Sequence, residues 1–293
     1  MKVGIIGAGS IGLLLGAYLG RFHDVHMWVR REEQKEKLDA KGILCDGLEK
    51  PTTVNAHLSS EIDYGYDLYI VTTKQHGLDS LLGQNLPTDA PFLFLQNGMG
   101  HLEKLHRANV SCVIGVVEHG AMAEGDNKVA HTGRGNVQVA NFSFPAGDIV
   151  SLIEKLHTPN FPFYYREDYQ KMLKSKLIIN AVINPLTAVF GQKNRCILTN
   201  PYIQKLAFQL CEEACVVLDL DTTTEWTRVK EIAAITAENQ SSMLKDLKER
   251  RLTEIDSISG YILNQSSRPL PCHQFIISAI HALEYEEGVR SYE

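Results

Sequence analysis

Near its start the chain carries the stretch Val3-Gly4-Ile5-Ile6-Gly7-Ala8-Gly9-Ser10-Ile11-Gly12, and this stretch decides the fold. Its first four residues are typical of a short buried strand, and the apolar run 13–19 predicts a helix. A Gly-x-Gly-x-x-Gly motif between a strand and a helix indicates a dinucleotide-binding turn. Gly7 permits the tight turn, Gly9 lets a pyrophosphate approach the backbone, and Gly12 lets the helix pack closely on the strand. We therefore expect residues 7–12 to bind cofactor phosphates at the helix N-terminus.

The residues after the second predicted strand, Val25–Val29, indicate which dinucleotide is bound. An NAD-binding unit usually has an acidic residue there, which binds the ribose 2′-hydroxyl. This chain has Arg30 and Arg31 instead, and a guanidinium can bind a 2′-phosphate through two hydrogen bonds. The pair favours NADP(H) over NAD and over FAD. A solvated arginine pair with no ligand is the alternative.

Two further polar residues follow strands of the same predicted sheet. Lys74 ends the strand-like run that starts at Asp67, and Asn97 follows the apolar strand 91–95. Ligands bind outside the carboxyl ends of strands in open α/β sheets, so Lys74 is a candidate contact for a cofactor phosphate or adenine. Asn97 is a candidate contact for the nicotinamide end, although an asparagine before glycine is also common in turns that bind nothing.

The pattern of the chain changes twice after these strands. Residues 113–117 continue the sheet, and the alternating segments 128–132 and 136–140 predict an antiparallel hairpin at its edge. From about Arg166 onward helical periodicity takes over. The sequence therefore predicts an α/β Rossmann-type domain with a mostly parallel sheet and an antiparallel edge over residues 1–165, followed by an all-helical substrate and catalytic domain over residues 166–293.

A polar stripe marks the first helix predicted in the second half. Lys176, Asn180 and Asn184 stand at four-residue intervals in an almost wholly apolar run. On a helix this spacing places them along one face, where a cation and two amides need partners. An ordinary solvated helix edge is the alternative. Pro185 predicts that the helix kinks or ends there, in which case Asn184 need not follow the stripe.

Composition and charge exclude several classes of protein. The 293 residues are 44% hydrophobic and 22% charged, the net charge is −6, and no basic block is present, which disfavours nucleic acid as a partner. No apolar run approaches the roughly 20 residues that span a bilayer. The glycine motif begins at Gly7 and leaves no room for a signal peptide. The six cysteines are scattered without a Cys/His set, so we expect reduced thiols, no metal site and a cytoplasmic protein with no membrane partner.

Taken together, five motifs resemble the ketopantoate reductase (2-dehydropantoate 2-reductase) family over nearly the whole chain. The glycine motif is shared by many dehydrogenases, and a Lys-x-x-x-Asn pair also occurs in 3-hydroxyacid dehydrogenases. Alone, the last two motifs are typical of helix caps. The motifs are residues 7–12, Gln96-Asn97-Gly98-Met99-Gly100, Lys176-x-x-x-Asn180-x-x-x-Asn184-Pro185, Ser241-Ser242-Met243-x-x-Asp246 and Thr253-Glu254-Ile255-Asp256.

The resemblance implies a reaction and a site. The reaction is NADPH-dependent reduction of 2-dehydropantoate, a 2-keto acid, to pantoate in pantothenate and coenzyme A biosynthesis, with Lys176 as the general acid and Glu254 as its partner. A protonated lysine near the keto oxygen would neutralise the charge that hydride transfer builds there. Glu254 is also implied as a cofactor contact, and five residues are implied as ligands of the substrate or the nicotinamide: Asn97, Asn180, Asn184, Asn239 and Ser242.

Three other functions stay open. They are a dehydrogenase of the same architecture acting on another 2-keto or 3-hydroxy acid, a non-catalytic NADP-sensing protein, and a flavoprotein, which Arg30 disfavours. The chain departs from the family at Leu173-Lys174-Ser175, where tryptophan is frequent, and residues 264–273 are a few residues short. A homodimer is compatible with the helical second domain, since such domains often dimerise.

Overall fold

The strand and the helix predicted around the glycine motif are both present in the structure, which is a computed structural model. Strand β1 covers Lys2–Ile6 and helix α1 covers Ser10–Leu19. Between them Gly7 has a φ of 105°, a backbone conformation that glycine adopts without steric cost. A Cβ atom on Gly12 would lie 2.0 Å from the carbonyl oxygen of Gly7, so α1 can begin here only with glycine at this position.

The structure describes residues 1–60, 62–84, 86, 90–108, 110–144 and 149–292, with the side chains of Gln75 and His76 left out. The chain divides into two units. The first comprises Met1–Gln96 and His101–Met172, and the second comprises Asn97–Gly100 and Leu173–Glu293. The sequence places its domain boundary slightly earlier, between residues 165 and 166, and that division by function stays a prediction.

The strands of the first unit form two sheets. In the described residues, eight strands form one sheet in the order β11-β10-β7-β6-β5-β1-β2-β4, and three form a second sheet in the order β3-β9-β8. After β1, the strands are β2 (Asp24–Val29), β3 (Leu44–Cys45), β4 (Asn55–Leu58), β5 (Leu68–Val71), β6 (Phe92–Phe94), β7 (Cys112–Val117), β8 (Gly120–Ala123), β9 (Lys128–Gly133), β10 (Val137–Asn141) and β11 (Phe163–Arg166).

The large sheet is parallel from β7 across to β4. Strand β10 runs antiparallel to β7 and parallel to β11, so these two strands form an antiparallel edge. This arrangement confirms the predicted fold class of the N-terminal half.

The hairpin predicted from segments 128–132 and 136–140 is wrong, because the two strands lie in different sheets. Strand β9 pairs with β8 and β3, whereas β10 pairs with β7 and β11. The intervening chain crosses between the sheets: Asn136 accepts a hydrogen bond from the Glu118 N–H (2.8 Å), and a Cβ on Gly135 would lie 2.4 Å from the Glu118 carbonyl oxygen. This close backbone approach leaves no room for a side chain at position 135.

Helix α1 lies at the centre of the first unit. It contacts β1 and β2 of the large sheet and β3, β8 and β9 of the small sheet, and residues 12–19 are all buried. This position accounts for an apolar sequence on every side of the helix. The other helices of the unit are α2 (Glu32–Lys41), α3 (Gln75–Leu82), α4 (His101–Ala108) and α5 (Ile149–Leu156).

The second unit is built from helices, as predicted. Helix α8 contacts α7, α9, α11 and α12 and is therefore its central element. No helix in the described parts of the chain is long and apolar enough to span a membrane. The helices are α6 (Tyr169–Val189), α7 (Cys196–Thr199), α8 (Pro201–Leu218), α9 (Thr222–Ile235), α10 (Ser242–Lys248), a π-helical segment (Asp256–Gly260) that leads into α11 (Tyr261–Gln265), and α12 (Pro271–Glu286).

Residues 264–273, where the chain departs from the family pattern, lead into α12. A carboxylate on another helix caps the start of α12: Glu213 of α8 accepts hydrogen bonds from the N–H groups of Cys272 (2.9 Å) and His273 (3.0 Å). The Nδ1 atom of His273 lies 2.9 Å from the same carboxylate. The carboxylate thus satisfies helix N–H groups that lack an intrahelical partner.

The possibility that α6 ends at Pro185 is wrong, because the helix continues through it to Val189. Proline removes one backbone hydrogen bond, and the helix nevertheless continues for another turn, in which one side-chain hydroxyl lies close to two carbonyl oxygens. The hydroxyl of Thr187 lies 2.8 Å from the Ile183 oxygen and 3.0 Å from the Asn184 oxygen. Asn184 therefore stays on the same continuous helix as Lys176.

We predict that Gly12→Ala lowers the free energy of unfolding by at least about 2 kcal/mol, because the new methyl group overlaps the Gly7 carbonyl. Gly9→Ala is the matched control. A Cβ at Gly9 would meet no atom within 4 Å, so its cost stays below about 1 kcal/mol. Chemical denaturation of the two variants measures the difference, and equal unfolding midpoints would contradict the close contact.

Candidate active site

The first turn of α1 offers unpaired backbone donors to a ligand. Gly9 is the N-cap residue, and no side chain caps the helix. The space beside Gly9 is open, since a Cβ there would meet nothing within 4 Å. The hydroxyl of Thr72, just after β5, donates to the Gly7 oxygen at 2.9 Å and holds the turn in place. A phosphate group fits this arrangement, because helix N-termini bind anions through free N–H groups.

Two hydrogen-bonded side chains support the turn, namely Ser10, which belongs to the predicted motif, and Gln34, which the sequence did not identify. The amide of Gln34, a buried residue of α2, donates to the carbonyl oxygens of Ala8 (3.0 Å) and Asp126 (2.9 Å). The hydroxyl of Ser10 accepts a hydrogen bond from the Ala123 N–H at 3.0 Å. Ser10 thus supports the turn from within, while Ala8 and Ile11 pack against the hydrophobic core. No local pattern in the sequence could show these contacts, because they join residues far apart in the chain.

The two arginines after β2 have different surroundings. Arg31 forms an ion pair with Asp126, which also binds Lys37 (2.7 Å). Hydrogen bonds from Lys37 and Arg31 lower the pKa of the Asp126 carboxyl. Arg30 is exposed, and no hydrogen bond or ion pair joins it to the described part of the chain. The guanidinium of Arg30 is therefore open to an anion, whereas that of Arg31 is already paired with Asp126.

Lys74 lies three residues beyond the end of β5 at Val71, so the prediction that it ends this strand is wrong. It is the exposed N-cap residue of α3, with an extended backbone. The neighbouring Gln96 is buried and donates from its amide to the oxygens of Val71 (3.2 Å) and Thr73 (3.0 Å). Both hydrogen bonds hold the segment that follows β6 against the segment that follows β5.

The polar stripe of α6 lies on a largely buried helix. Lys176 and Asn184 are half-buried, and Asn180 is only 7% exposed. The amide of Asn180 forms no hydrogen bond with any described residue. Because buried amides normally have partners, Asn180 has the hydrogen-bonding capacity that a ligand would use.

A buried carboxylate holds α6 immediately before Lys176. The hydroxyl of Ser175 donates to Glu225 of α9 at 2.8 Å, and both residues are less than 5% exposed. Leu173, which precedes Ser175 on the same helix, is also buried. The Ser175–Glu225 contact fixes α6 next to its lysine, and the sequence did not predict it.

The N-terminus of α10 lies against α6 at Asn184. The hydroxyl of Ser241 accepts from the Leu244 N–H (3.1 Å), and the Thr187 hydroxyl lies 2.7 Å from it. Ser241 also lies 3.4 Å from the Asn184 carbonyl oxygen. Ser241 is therefore the buried cap, which leaves Ser242 exposed as the first residue of the helix.

Asn239 lies just before this cap and is half-buried. Its carbonyl oxygen accepts a hydrogen bond from the Asn194 N–H at 3.0 Å, and its own N–H donates to the Thr236 oxygen at 2.8 Å. The backbone of Asn239 is thus held on both sides within the second unit.

The structure also joins Asn97 and Glu254, which lie 157 residues apart in the sequence. The amide nitrogen of Asn97 donates to Oε2 of Glu254 at 3.1 Å, and both residues belong to the second unit. Gly98 follows with a φ of 78°, which supports the predicted glycine turn. The partnership of Lys176 with Glu254 stays a prediction.

His119 and His131 of the first unit form a closely packed pair of imidazole rings. His119 stacks on Phe161 and lies 3.0 Å from His131 between their ring nitrogens. Burial lowers the pKa of His119 to about 4, and the neighbouring His131 adds to this effect, so the ring is neutral at pH 7. In the described ranges, no three or more His, Cys, Asp or Glu side chains are grouped to hold a metal ion.

The fold and the site together define a class: a Rossmann-like unit followed by a helical unit that carries a lysine and asparagine stripe, as in dehydrogenases built from two units. Two family models match the chain. "Ketopantoate reductase PanE/ApbA" matches residues 3–143, and "Ketopantoate reductase PanE/ApbA C terminal" matches residues 168–284. The chain belongs to the ketopantoate reductase family.

Individual relatives agree with this assignment. The chain is 40% identical over 274 residues to a 2-dehydropantoate 2-reductase of Bacillus subtilis (strain 168), with 91% of each protein covered. A crystal structure of a probable 2-dehydropantoate 2-reductase from Bacillus subtilis superimposes with a TM-score of 0.84 at 38% identity, covering 97% of this chain and all of that one. D-mandelate dehydrogenase with NADH and anilino(oxo)acetate gives a TM-score of 0.90 at 24% identity, covering 99% of this chain and 100% of that one, and shares the fold.

Proposed function

We propose that this protein reduces 2-dehydropantoate to pantoate with NADPH, a step of pantothenate and coenzyme A biosynthesis. The observation that carries the proposal is the stripe of α6. Asn180 lies on the same helix as Lys176, is 7% exposed, and has no hydrogen-bond partner among the described residues. The 40% identical relative from Bacillus subtilis, which bears the name of this activity, supports the same reaction.

The first unit supplies most of the groups that bind the cofactor, and Asn97 and Glu254 of the second unit complete the set. The open first turn of α1 around Gly9 receives the pyrophosphate, and Arg30 receives the 2′-phosphate with support from Arg31. Lys74 and Asn97 contribute further contacts to the adenine and nicotinamide ends, and Glu254 contributes at the nicotinamide. When bound, NADPH supplies the hydride for the keto carbon.

The second unit supplies the proton and holds the acid substrate. Lys176 donates a proton to the keto oxygen as negative charge builds there, which is general acid catalysis. Glu254 is the partner of Lys176 in this scheme. The substrate is held by polar side chains that add no further charge, namely Asn97, Asn180, Asn184, Asn239 and Ser242.

The first test compares substrates. We expect NADPH consumption to be faster with 2-dehydropantoate than with any other 2-keto acid of a small panel, by at least about tenfold in kcat/KM, because a site that hydrogen-bonds the distant hydroxyl of this substrate disfavours analogues that lack it. Absorbance of NADPH measures the rates. A clear preference for another 2-keto acid would replace the proposed substrate with that acid, and no turnover with any of them would favour a non-catalytic protein.

A second prediction concerns the general acid. Lys176→Ala should lower kcat by about 100-fold or more, since the proton donor is lost, and leave the dissociation constant of NADPH nearly unchanged. Lys174→Ala is the matched control, because it removes a lysine from the same helix outside the stripe. Near-normal turnover by the Lys176 variant would remove this residue from the mechanism.

A third prediction concerns the choice of cofactor. Arg30→Ala should raise KM for NADPH about tenfold and leave KM for NADH almost unchanged, because a hydrogen-bonded charge pair with the 2′-phosphate is lost. Arg31→Ala should have a smaller effect, since Asp126 already binds that guanidinium. Equal kcat/KM values of the unmodified protein with NADPH and NADH would remove the role given to both arginines.

A further inference from the structure

Two residues near the C-terminus, Glu284 and Arg290, bind the segment that carries Glu254. Glu284, in the last turns of α12, is completely buried, and its Oε1 atom accepts a hydrogen bond from the Thr253 N–H at 2.8 Å. Thr253 is itself 7% exposed and directly precedes Glu254. The backbone immediately before Glu254 is therefore bound to a buried carboxylate on a different helix.

A single guanidinium connects this carboxylate to the other side of Glu254. The Nε atom of Arg290 donates to Oε2 of Glu284 at 2.5 Å, and its Nη2 atom donates to Asp256 at 2.5 Å. Asp256 lies two residues after Glu254, and His281 of α12 lies 2.8 Å from its other oxygen. We call Thr253, Asp256, Glu284 and Arg290 the C-terminal clamp.

The sequence after α12 explains how Arg290 reaches this position. Gly288 has a φ of 70°, and its N–H donates to the Tyr285 oxygen at 2.9 Å. The N–H of Val289 donates to the backbone carbonyl oxygen of Glu284 at 3.0 Å. These two bonds form a Schellman motif, in which a left-handed glycine ends the helix and turns the chain back along it. Arg290, two residues later, therefore lies over its own last turns.

Charge gives the clamp a fixed geometry. A buried carboxylate is tolerated only if a cation lies close to it and its oxygens accept hydrogen bonds. In Glu284, Oε1 accepts from the Thr253 N–H and Oε2 accepts from Arg290. Burial would raise the pKa of Asp256, but hydrogen bonds from Arg290 and His281 outweigh burial and lower it. Asp256 and Glu284 thus lie around one guanidinium, whose planar fork binds two acceptors in fixed directions.

We infer that Arg290 and Glu284 are positioning residues that set the orientation of Glu254. Glu284 binds the backbone before Glu254, and Arg290 binds the side chain of Asp256 after it. Glu254 in turn accepts the hydrogen bond from Asn97 at 3.1 Å. The inference rests on the proposed function, in which Glu254 is the partner of the general acid. Neither Arg290 nor Glu284 contacts Asn97, so each would act through Glu254 alone.

Arg290→Ala tests the inference through turnover and through local exchange. We expect kcat to fall by about 10- to 100-fold, the range expected when a catalytic group is displaced by about 1 Å, while the dissociation constant of NADPH changes less than about threefold. Added guanidinium ion should restore part of kcat, because the side chain of Arg290 is 24% exposed and its site is open to a small cation. Amide hydrogen exchange in residues 253–256 should become faster.

Arg250→Gln is the matched control. Arg250 also pairs with α12, through Glu287 at 3.0 Å, but both side chains are exposed and neither touches Thr253 or Asp256. This variant should leave kcat and the exchange of residues 253–256 unchanged. A loss of kcat equal to that of Arg290→Ala would overturn the inference, since any loosening of α12 would then have the same effect.

A double variant covers the case in which Arg290→Ala leaves Glu284 unpaired and the protein fails to fold. Glu284→Gln with Arg290→Met removes both charges, so no unpaired carboxylate remains buried. We expect this variant to fold, with kcat reduced by about tenfold or more and no rescue by guanidinium. A folded double variant with normal kcat would overturn the inference. Absence of ketopantoate reduction by the unmodified protein would reject the proposed function instead, and the exchange measurement would still test the clamp.

Discussion

The contact between Gly12 and Gly7 is the constraint on which the first unit depends. The start of α1 lies so close to the end of β1 that a single methyl group at Gly12 would overlap a backbone oxygen at 2.0 Å. This approach places α1 between the two sheets and directs its free N–H groups into open space at Gly9. Thr72 and Gln34 then bind the same turn from β5 and α2, so the large sheet and the small sheet are both arranged around one short backbone segment.

The second unit differs from the first because its proposed site residues would contact the substrate through side chains. Side chains need a supporting layer, and this layer consists of buried polar contacts between helices. Ser175 binds Glu225, Ser241 binds Thr187, and Glu284 binds Thr253. Each contact lies next to a proposed site residue: Lys176, Ser242 and Glu254, respectively. Each of these buried polar groups has at least one hydrogen-bond partner on another element, and such contacts fix the helices in one register.

Local features could be predicted from the sequence, whereas contacts between residues far apart in the chain could not. The glycine turn, the order of strands and helices, and the stripe of α6 follow from short-range periodicity and from glycine geometry. The pairing of β9 with β8 could not be read locally, because an alternating pattern specifies a strand and leaves its neighbour open. The ion pair of Arg31 with Asp126 and the bond of Asn97 with Glu254 join residues about a hundred or more positions apart, and no local signal marks either one.

The two units should therefore differ in how they tolerate substitution. In the first unit the proposed pyrophosphate contact uses the backbone, so the sensitive positions include glycines whose replacement changes the path of the chain itself. In the second unit the sensitive positions include residues that touch no ligand, since a displaced support moves the side chain it holds. Thr187 and Ser241 illustrate the second case. Their hydroxyls lie 2.7 Å apart and join α6 to α10 beside Asn184, although neither residue belongs to the proposed site.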